Sequence, residues 1–205
     1  MEKDKTISDE KLVLAAQKGD KQAFAELVGR YEKKIYNLGY RISGNREDAS
    51  DILQDTFLQV FKKIKTFKGK SKFSTWLYRI ATNSALMRKR KDSKNRTVSM
   101  ESPAVMGTGE EIKKQFTDDW SKKPLDIVEN RELGAALRKY IDELPQEYRA
   151  ALILRDINGI PNEEVAKILK ISLPAVKSRV HRARLFIREK LTGYFKNIQE
   201  IVNGY

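Results

Sequence analysis

The chain has 205 residues, and its 41 lysines and arginines exceed its 28 aspartates and glutamates to give a formal net charge of +13. It has no cysteine, so disulfides and thiolate chemistry are excluded and a reducing compartment is expected. No apolar run approaches the roughly 20 residues of a membrane span, and the N-terminal sequence MEKDKTISDE lacks a signal-peptide core. We therefore expect a soluble, cytoplasmic protein of one or two modest domains, without membrane insertion.

The positive charge is concentrated in one segment. Residues 62–96 contain thirteen basic side chains and one acid, a net charge of +12. The same segment carries four aromatic residues, Phe67, Phe73, Trp76 and Tyr78. Lysine and arginine side chains pair with the phosphates of a nucleic acid, while aromatic rings stack on its unpaired bases. Stacking contributes roughly 1–3 kcal/mol per base. The combination indicates binding to single-stranded nucleic acid.

The first half of the chain shows helical periodicity. Apolar residues recur at three- and four-residue steps until Gly44 breaks the pattern, at positions Phe24, Leu27, Val28, Tyr31, Ile35 and Leu38. Asn45 is predicted to cap a second helix that runs to about Ile64, and Asp48 favours the positive end of that helix. A basic loop, 68–71, precedes a further helix that starts at about Ser74.

Three aspartates, Asp48, Asp51 and Asp55, follow one another at steps of three and four on the second predicted helix, and Gln54 borders them. We call these three residues the acidic stripe. A solvated helix face is the simplest interpretation. The alternative is a docking surface for a basic protein partner, because an acidic surface beside a DNA-binding segment repels phosphate.

The basic aromatic segment divides into core and surface. Trp76, Leu77 and Ile80 share one helix face and are predicted to be core, whereas at least one of Phe67 and Phe73 could line a pocket. Asn83, Ser84 and Met87 are predicted to lie opposite that core face, where DNA would run. An asparagine can pair with a base edge through both ends of its amide, so Asn83 is a candidate base contact.

Residues 93–127 lose periodicity and are rich in Ser, Gly, Pro and acids, which predicts a linker between two domains. Helical periodicity returns at about Val128. Four helices are then predicted: one stopped by Pro145, one ending near Gly159, a short one capped by Asn162, and a last one with Pro174 near its first position. The fold class is therefore all-α, as two small helical domains on a flexible linker.

The last two predicted helices have the plan of a helix-turn-helix, whose second helix enters the major groove. Val176, Val180, Ala183 and Ile187 fall on its inner side. The outer side then presents Pro174, Lys177, Ser178, His181, Arg182 and Leu185, with Arg179 and Arg184 on the flanks where phosphates would lie. A helix hairpin with a merely solvated basic face is the alternative. His181 stands without a second His or any Cys, so no metal site is predicted.

Three segments together resemble the bacterial sigma factors: NREDASDILQDTF at 45–57, FSTWLYRIATN at 73–83 and AVKSRVHRAR at 175–184. Specifically, they are similar to the extracytoplasmic-function group, which is built from the second and fourth sigma regions alone. The resemblance implies that region 2 spans residues 8–92, the linker 93–127 and region 4 residues 128–192.

The resemblance also implies roles. The protein would bind core RNA polymerase and direct initiation at specific promoters, in a stress or envelope response, with an anti-sigma factor as a further partner. Polymerase contacts would be Asp48, Asp51, Gln54 and Asp55. The melted minus-ten element would be held by Phe67, Lys68, Lys70, Ser71, Asn83 and Arg88. The minus-thirty-five element would be read by Lys177, Ser178, Arg179, His181 and Arg182.

Two positions depart from the family pattern. Pro161 stands where a Ser or Thr helix cap is common, so capping is predicted to shift to Asn162. Lys170 replaces a frequent Gly in the turn, which is unfavourable if its φ is positive. The tail that contains Leu191, Tyr194 and Phe195 continues at helical spacing, and packing on its own domain is favoured over a regulator-binding surface.

An enzyme is not expected, because the sequence has no Cys, a single His, no phosphate-binding Gly loop and no cluster of metal ligands. Neither a cofactor nor a metal is predicted. The alternative function is an autonomous helix-turn-helix regulator whose N-terminal domain senses a signal or dimerises. Such a protein would bind duplex DNA tightly by itself, with palindromic half-sites. A sigma factor should bind promoter DNA weakly unless polymerase is present.

Overall fold

A computed structural model describes the backbone of residues 7–93 and 131–203, and the side chains of 7–88 and 132–195. All regular structure in these ranges is helical, which confirms the predicted fold class. The N-terminal domain, residues 7–93, contains α1 (Asp9–Gln17), α2 (Lys21–Ser43), α3 (Arg46–Lys63), a 3-10 turn (Ile64–Thr66) and α4 (Phe73–Ser93). No described helix is long and apolar enough to cross a membrane.

Local sequence signals set the ends of α2 and α3. The Asp20 carboxylate caps α2 by accepting from the backbone N–H groups of Gln22 and Ala23 at 2.8 and 3.1 Å. Gly44 ends α2 with a φ of +87°, a conformation that glycine adopts without strain. The Asn45 side chain then accepts from the Asp48 N–H at 2.7 Å, so the predicted cap of α3 is confirmed.

Helix α4 is buried more widely than its sequence predicts. Trp76, Leu77 and Ile80 are core residues, as predicted. Ser84 was predicted to face DNA, but it is buried and its hydroxyl accepts from the Gln59 side chain at 3.3 Å. The prediction fails because α4 packs against α2 and α3 on one side and against a helix of the second domain on another.

The C-terminal domain, residues 131–203, contains α5 (Arg131–Glu143), α6 (Gln146–Leu152), α7 (Asn162–Leu169) and α8 (Leu173–Asn203). Helix α6 continues into a wider π-type turn, Ile153–Ile157. The predicted inner side of α8 is confirmed, because Val176, Val180, Ala183 and Ile187 are all buried. Leu191 packs against the core formed by α5, α6 and α8, and Phe195 is exposed.

The turn before α8 and the start of α7 both depart from expectation. The prediction that Asn162 caps α7 is wrong: Asn162 is the first helical residue, and Pro161 holds the N-cap position without any side-chain bond. The Pro161 carbonyl instead accepts from the Glu164 and Val165 N–H groups, each at 3.0 Å. Lys170 has a φ of +55°, so a side chain occupies the left-handed conformation for which glycine is favoured.

The two domains pack on each other. Helix α4 lies against α7, and α2 lies against α6 and the turn that follows it, so that one hydrophobic cluster runs through both domains. Arg149 of α6 is only 3% exposed at this boundary. Its guanidinium donates to the Ile42 carbonyl of α2 at 3.3 Å and to the Leu144 carbonyl of its own domain at 3.1 Å. The predicted linker lies outside the described residues, apart from Ser93.

Candidate functional site

The predicted basic loop forms one side of a cavity of about 380 Å³ at the start of α4, which we call the basic cavity. Its lining includes Phe67, Lys68, Lys70 and Ser71, all of which were predicted as strand-binding residues. The remaining lining residues are Thr66, Thr75, Trp76 and Arg79 from the N-terminal domain and Lys167 from α7. Four cations and two aromatic rings therefore face one concave space.

Helix α1 and a glycine hold the loop in place. The Gln17 side chain donates to the backbone carbonyls of Ile64 and Phe67, at 3.0 and 2.8 Å. Gly69 has a φ of +65°, which lets the chain turn between the two lysines without strain. The backbone is thus held at Phe67, immediately before the loop, and Gly69 allows the turn within it.

The Phe67 and Trp76 rings form the aromatic floor of the basic cavity, and both pack against Phe73, which lies outside its lining. The Phe67 ring lies 4.9 Å from the Trp76 ring and 6.1 Å from the Phe73 ring, measured between centroids. Trp76 and Phe73 are buried, whereas Phe67 is half-buried. Of the three rings, Phe67 is therefore the one best able to meet a base while the others keep it in position.

Asn83 and Arg88 lie outside the lining of the basic cavity. Asn83 is exposed and stands one helical turn after Arg79, so it extends the same side of α4 away from the cavity. Arg88 points toward α3 instead. Its guanidinium bonds Asp48 at 3.3 Å, Asp55 at 3.4 Å and also Asp51.

The acidic stripe and Arg88 thus form a single charged cluster. Asp51 and Asp55 remain about half exposed, with side-chain exposures of 50% and 53%, and Asp48 is less exposed at 23%. Asp48 also accepts from the Asn45 side-chain amide at 2.5 Å. The stripe is therefore accessible, but its charge is partly neutralised by Arg88, to which the resemblance to sigma factors assigned a contact with the minus-ten strand.

Gln54 lies between the acidic stripe and an apolar groove of about 330 Å³, which is formed by α2 and α3. The groove exposes two large apolar side chains, Leu58 at 49% and Phe61 at 61%. Phe24 of α2 packs edge-to-face on Phe61, with 5.2 Å between ring centroids. The sequence reasoning missed this groove. The groove could have been predicted, because Leu58 and Phe61 are apolar residues that lie outside the buried face of α3.

The first part of α8 presents an exposed basic face. Lys177, Ser178 and Arg182 are exposed and His181 is half-buried. The Arg182 guanidinium donates to the Tyr148 hydroxyl at 3.4 Å. These four side chains share the outer side of one helix, as the sequence predicted for a reading surface.

Carboxylates of the neighbouring elements hold the flanking arginines. Arg179 bonds Glu147 of α6 at 2.8 Å. Arg184 makes two bonds to Asp156, at 2.8 and 2.6 Å, and these raise the pKa of its guanidinium. A phosphate that approached either arginine would have to compete with a carboxylate, so both lie less open to DNA than Lys177 and Arg182.

Sequence comparison identifies both halves of the chain. The description "Sigma-70 region 2" matches residues 27–95, and "Sigma-70, region 4" matches residues 134–187. The ECF RNA polymerase sigma factor SigW of Bacillus subtilis is 38% identical over 182 residues, covering 88% of this chain and 95% of SigW. The RNA polymerase sigma-H factor of Pseudomonas aeruginosa is 34% identical over 188 residues, covering 89% and 93% of the two chains.

Solved structures share the fold. CnrH, in complex with the cytosolic domain of CnrY, superposes with a TM-score of 0.64 at 23% identity, covering 90% of this chain and 97% of that chain. RpoE of Bartonella quintana, in complex with the anti-sigma factor NepR, gives 0.59 at 23% identity, covering 82% and 96%. The sequence matches show that the chain belongs to the extracytoplasmic-function group of the sigma-70 family, whose members are not enzymes but factors that direct promoter-specific initiation by RNA polymerase.

Proposed function

We propose that this protein binds core RNA polymerase through α3, holds the opened minus-ten strand in the basic cavity and reads the minus-thirty-five element with α8. The basic cavity is the observation that supports this proposal most directly. It joins four cations to an aromatic floor, which is the combination that unpaired bases and their phosphates require. Asn83, one turn along α4, extends the strand path. Arg88 would join it there only after leaving the acidic stripe.

The polymerase-binding surface would combine charge with apolar area. Asp48, Asp51 and Asp55 offer carboxylates to a basic partner, and Gln54 stands between them and the apolar groove. Exposed apolar patches of this kind mark protein interfaces. Docking over both features would bury Leu58 and Phe61 at the centre, with the charged residues as its rim.

On α8, the proposed reading residues are Lys177, Ser178, His181 and Arg182, with Arg179 toward the backbone. Lysine and arginine donate to guanine O6 and N7, and serine adapts to either donor or acceptor. Together with the N-terminal domain this gives one chain two DNA-binding surfaces of different kinds. We also propose a cytoplasmic location, a role in a stress or envelope response, and an anti-sigma partner. The solved RpoE of Bartonella quintana was crystallised with such a factor.

Run-off transcription with core polymerase on a genomic promoter library tests the proposal directly. Specific transcripts should appear only when this protein is added. Tight binding to palindromic duplex sites without polymerase would instead favour an autonomous regulator.

The docking surface is tested by Asp51→Arg, which reverses a charge at the centre of the stripe and should abolish co-purification with core polymerase. Glu10→Arg is the matched control, because it makes the same charge change on an exposed residue of α1 that belongs neither to the stripe nor to the lining of the apolar groove. Equal losses with both variants, or normal co-purification of the Asp51→Arg protein, would contradict the assignment. Circular dichroism should show that both variants remain helical.

A further inference from the structure

The side chain of Gln17, at the end of α1, bridges the turn that precedes the basic cavity. Its amide nitrogen donates to the Ile64 carbonyl at 3.0 Å and to the Phe67 carbonyl at 2.8 Å. The Ile64 carbonyl also accepts from the Phe67 backbone N–H at 3.1 Å, which closes the 3-10 turn. One side-chain NH2 group therefore ties the first residue of the turn to the residue that follows it.

The bridge needs a side chain with two donor hydrogens. Both groups that Gln17 contacts are carbonyls, and an amide NH2 has one hydrogen for each of them. The two bonds are partly buried, so their loss would leave carbonyls with restricted access to water. Gln17 itself lies outside the lining of the basic cavity. Any effect of Gln17 on a bound strand must therefore act through the residues that it holds.

The other end of α1 supports the same place from a second direction. Asp9, in the first turn of α1, accepts a hydrogen bond from the Tyr31 hydroxyl of α2. The Tyr31 ring packs edge-to-face on Phe73 with 5.7 Å between centroids, and Phe73 packs in the same way on Phe67 at 6.1 Å. One end of α1 thus holds the Phe67 backbone, and the other end supports the Phe67 ring through two intervening aromatic residues.

We propose that Gln17 is a positioning residue for capture of the minus-ten strand, which holds the Phe67 ring at the basic cavity before a base arrives. This role rests on the proposed function of the cavity, in which Phe67 is the ring that meets the base. A ring that is already in place binds without the loss of affinity that ordering a loop on binding would cause. Loss of the bridge should therefore weaken the contact with the base, while Lys68 and Lys70 continue to attract phosphates.

The experiment measures how much one captured base contributes to binding. The probe is a fork-junction DNA from a promoter found by run-off transcription, with a duplex minus-thirty-five element and an unpaired minus-ten strand. In a matched series, each unpaired base in turn is replaced by an abasic site, which keeps the phosphate and removes the base. Binding by the holoenzyme is measured by mobility shift. With the unaltered protein, the abasic site at one position should weaken binding about tenfold, the effect of one stacked base.

Gln17→Met keeps the length of the side chain, adds no charge and removes both donors. The intact probe should then bind about tenfold more weakly, and the abasic site should cause no more than about a twofold further loss, because the base contact is already missing. Gln22→Met is the matched control, since it makes the same change on an exposed glutamine of α2. Gln17→Lys restores donor hydrogens at the end of a long side chain and should recover most of the abasic-site effect.

The ratio between intact and abasic probes separates positioning from a general loss of stability. A loss of stability alone would weaken both probes equally, and that result with Gln17→Met would overturn the role of Gln17 while the proposed function stands. Equal behaviour of Gln17→Met and Gln17→Lys would also overturn it, because the donor hydrogens would then be irrelevant. If no abasic site weakens binding by the unaltered holoenzyme, the proposed function of the cavity fails, and the role of Gln17 fails with it.

Discussion

Arg88 connects the acidic stripe on α3 with the proposed path of the DNA strand along α4. Its guanidinium bonds all three carboxylates of the acidic stripe, although it was predicted to contact DNA. A basic partner that docks on the stripe must displace Arg88, so the two compete for the same carboxylates. Docking would in turn release a cation near the path of the DNA strand.

We therefore expect Arg88→Ala to strengthen binding of core polymerase by about twofold to fivefold, the range open to partly exposed ion pairs. Binding is measured by fluorescence anisotropy at low salt, where charge effects are largest. Arg79→Ala is the control, because it removes the same charge from α4 without a contact to the stripe. Weaker polymerase binding by the Arg88→Ala protein would show that Arg88 contributes to docking rather than competing with it.

Asn83 allows a second test at the level of one side chain. It is exposed on the side of α4 that continues from the basic cavity, and its amide can both donate to and accept from a base edge. Asn83→Ala should impair strand opening by the holoenzyme about tenfold, as loss of one good base contact implies, while duplex binding stays close to normal. Permanganate reactivity of unpaired thymines measures opening. Gln22→Ala, which removes an exposed amide side chain from the start of α2, is the control, and a normal footprint with the Asn83 variant would exclude its proposed role.

At the scale of elements, the backbone of the turn between α7 and α8 is strained at one residue, Lys170. Lys170 has a φ of +55°, where a residue with a Cβ is disfavoured by roughly 1–2 kcal/mol. Replacing it with glycine relieves this but makes the unfolded chain more flexible, at a cost of about 0.4–1 kcal/mol. Relief is the larger effect, so Lys170→Gly should stabilise the protein by about 0.5–1 kcal/mol in urea unfolding. Lys170→Ala keeps the Cβ and should give no gain. Equal effects of the two changes would assign the difference to the lysine side chain instead.

The elements differ in how far sequence alone predicts them. The Asn45 cap joins residues three apart, and the inner side of α8 repeats at helical spacing, so both could be predicted from local pattern. The bond between Arg88 and Asp48 spans 40 residues, and that between Thr75 and Glu164 spans 89. Contacts over such separations depend on how the helices pack against each other, and the spacing of apolar residues along one helix does not predict that packing. The basic cavity is an intermediate case. Its loop residues are close together in the sequence and could be predicted from it, whereas Lys167 reaches the cavity only because α7 packs against α4.

At the scale of the whole molecule, Arg149 couples the unfolding of one domain to the unfolding of the other. Burial lowers the pKa of its guanidinium, and the Asp142 carboxylate at 3.3 Å opposes that shift, so the group remains charged. Its nitrogens serve carbonyls on both sides of the boundary, those of Ile42 in the N-terminal domain and of Asp142 and Leu144 in the C-terminal domain. Because a continuous hydrophobic cluster surrounds these bonds, the two domains should unfold together.

Arg149→Met tests this coupling, because it leaves the buried carbonyls of Ile42 and Leu144 and the partly buried carbonyl of Asp142 without their donor. Each buried carbonyl left unpaired costs about 1–3 kcal/mol before relaxation. We expect the free energy of unfolding to fall by about 3–5 kcal/mol in all. The reporter is the fluorescence of Trp76, which is buried in the other domain, in a Trp120→Phe background that leaves it as the single tryptophan. If the domains unfold as one unit, the Trp76 midpoint in urea shifts together with the helical signal. A Trp76 midpoint that stays in place while part of the helical signal is lost early would show two independent domains. The packing of the two domains on each other would then contribute little to the stability of either.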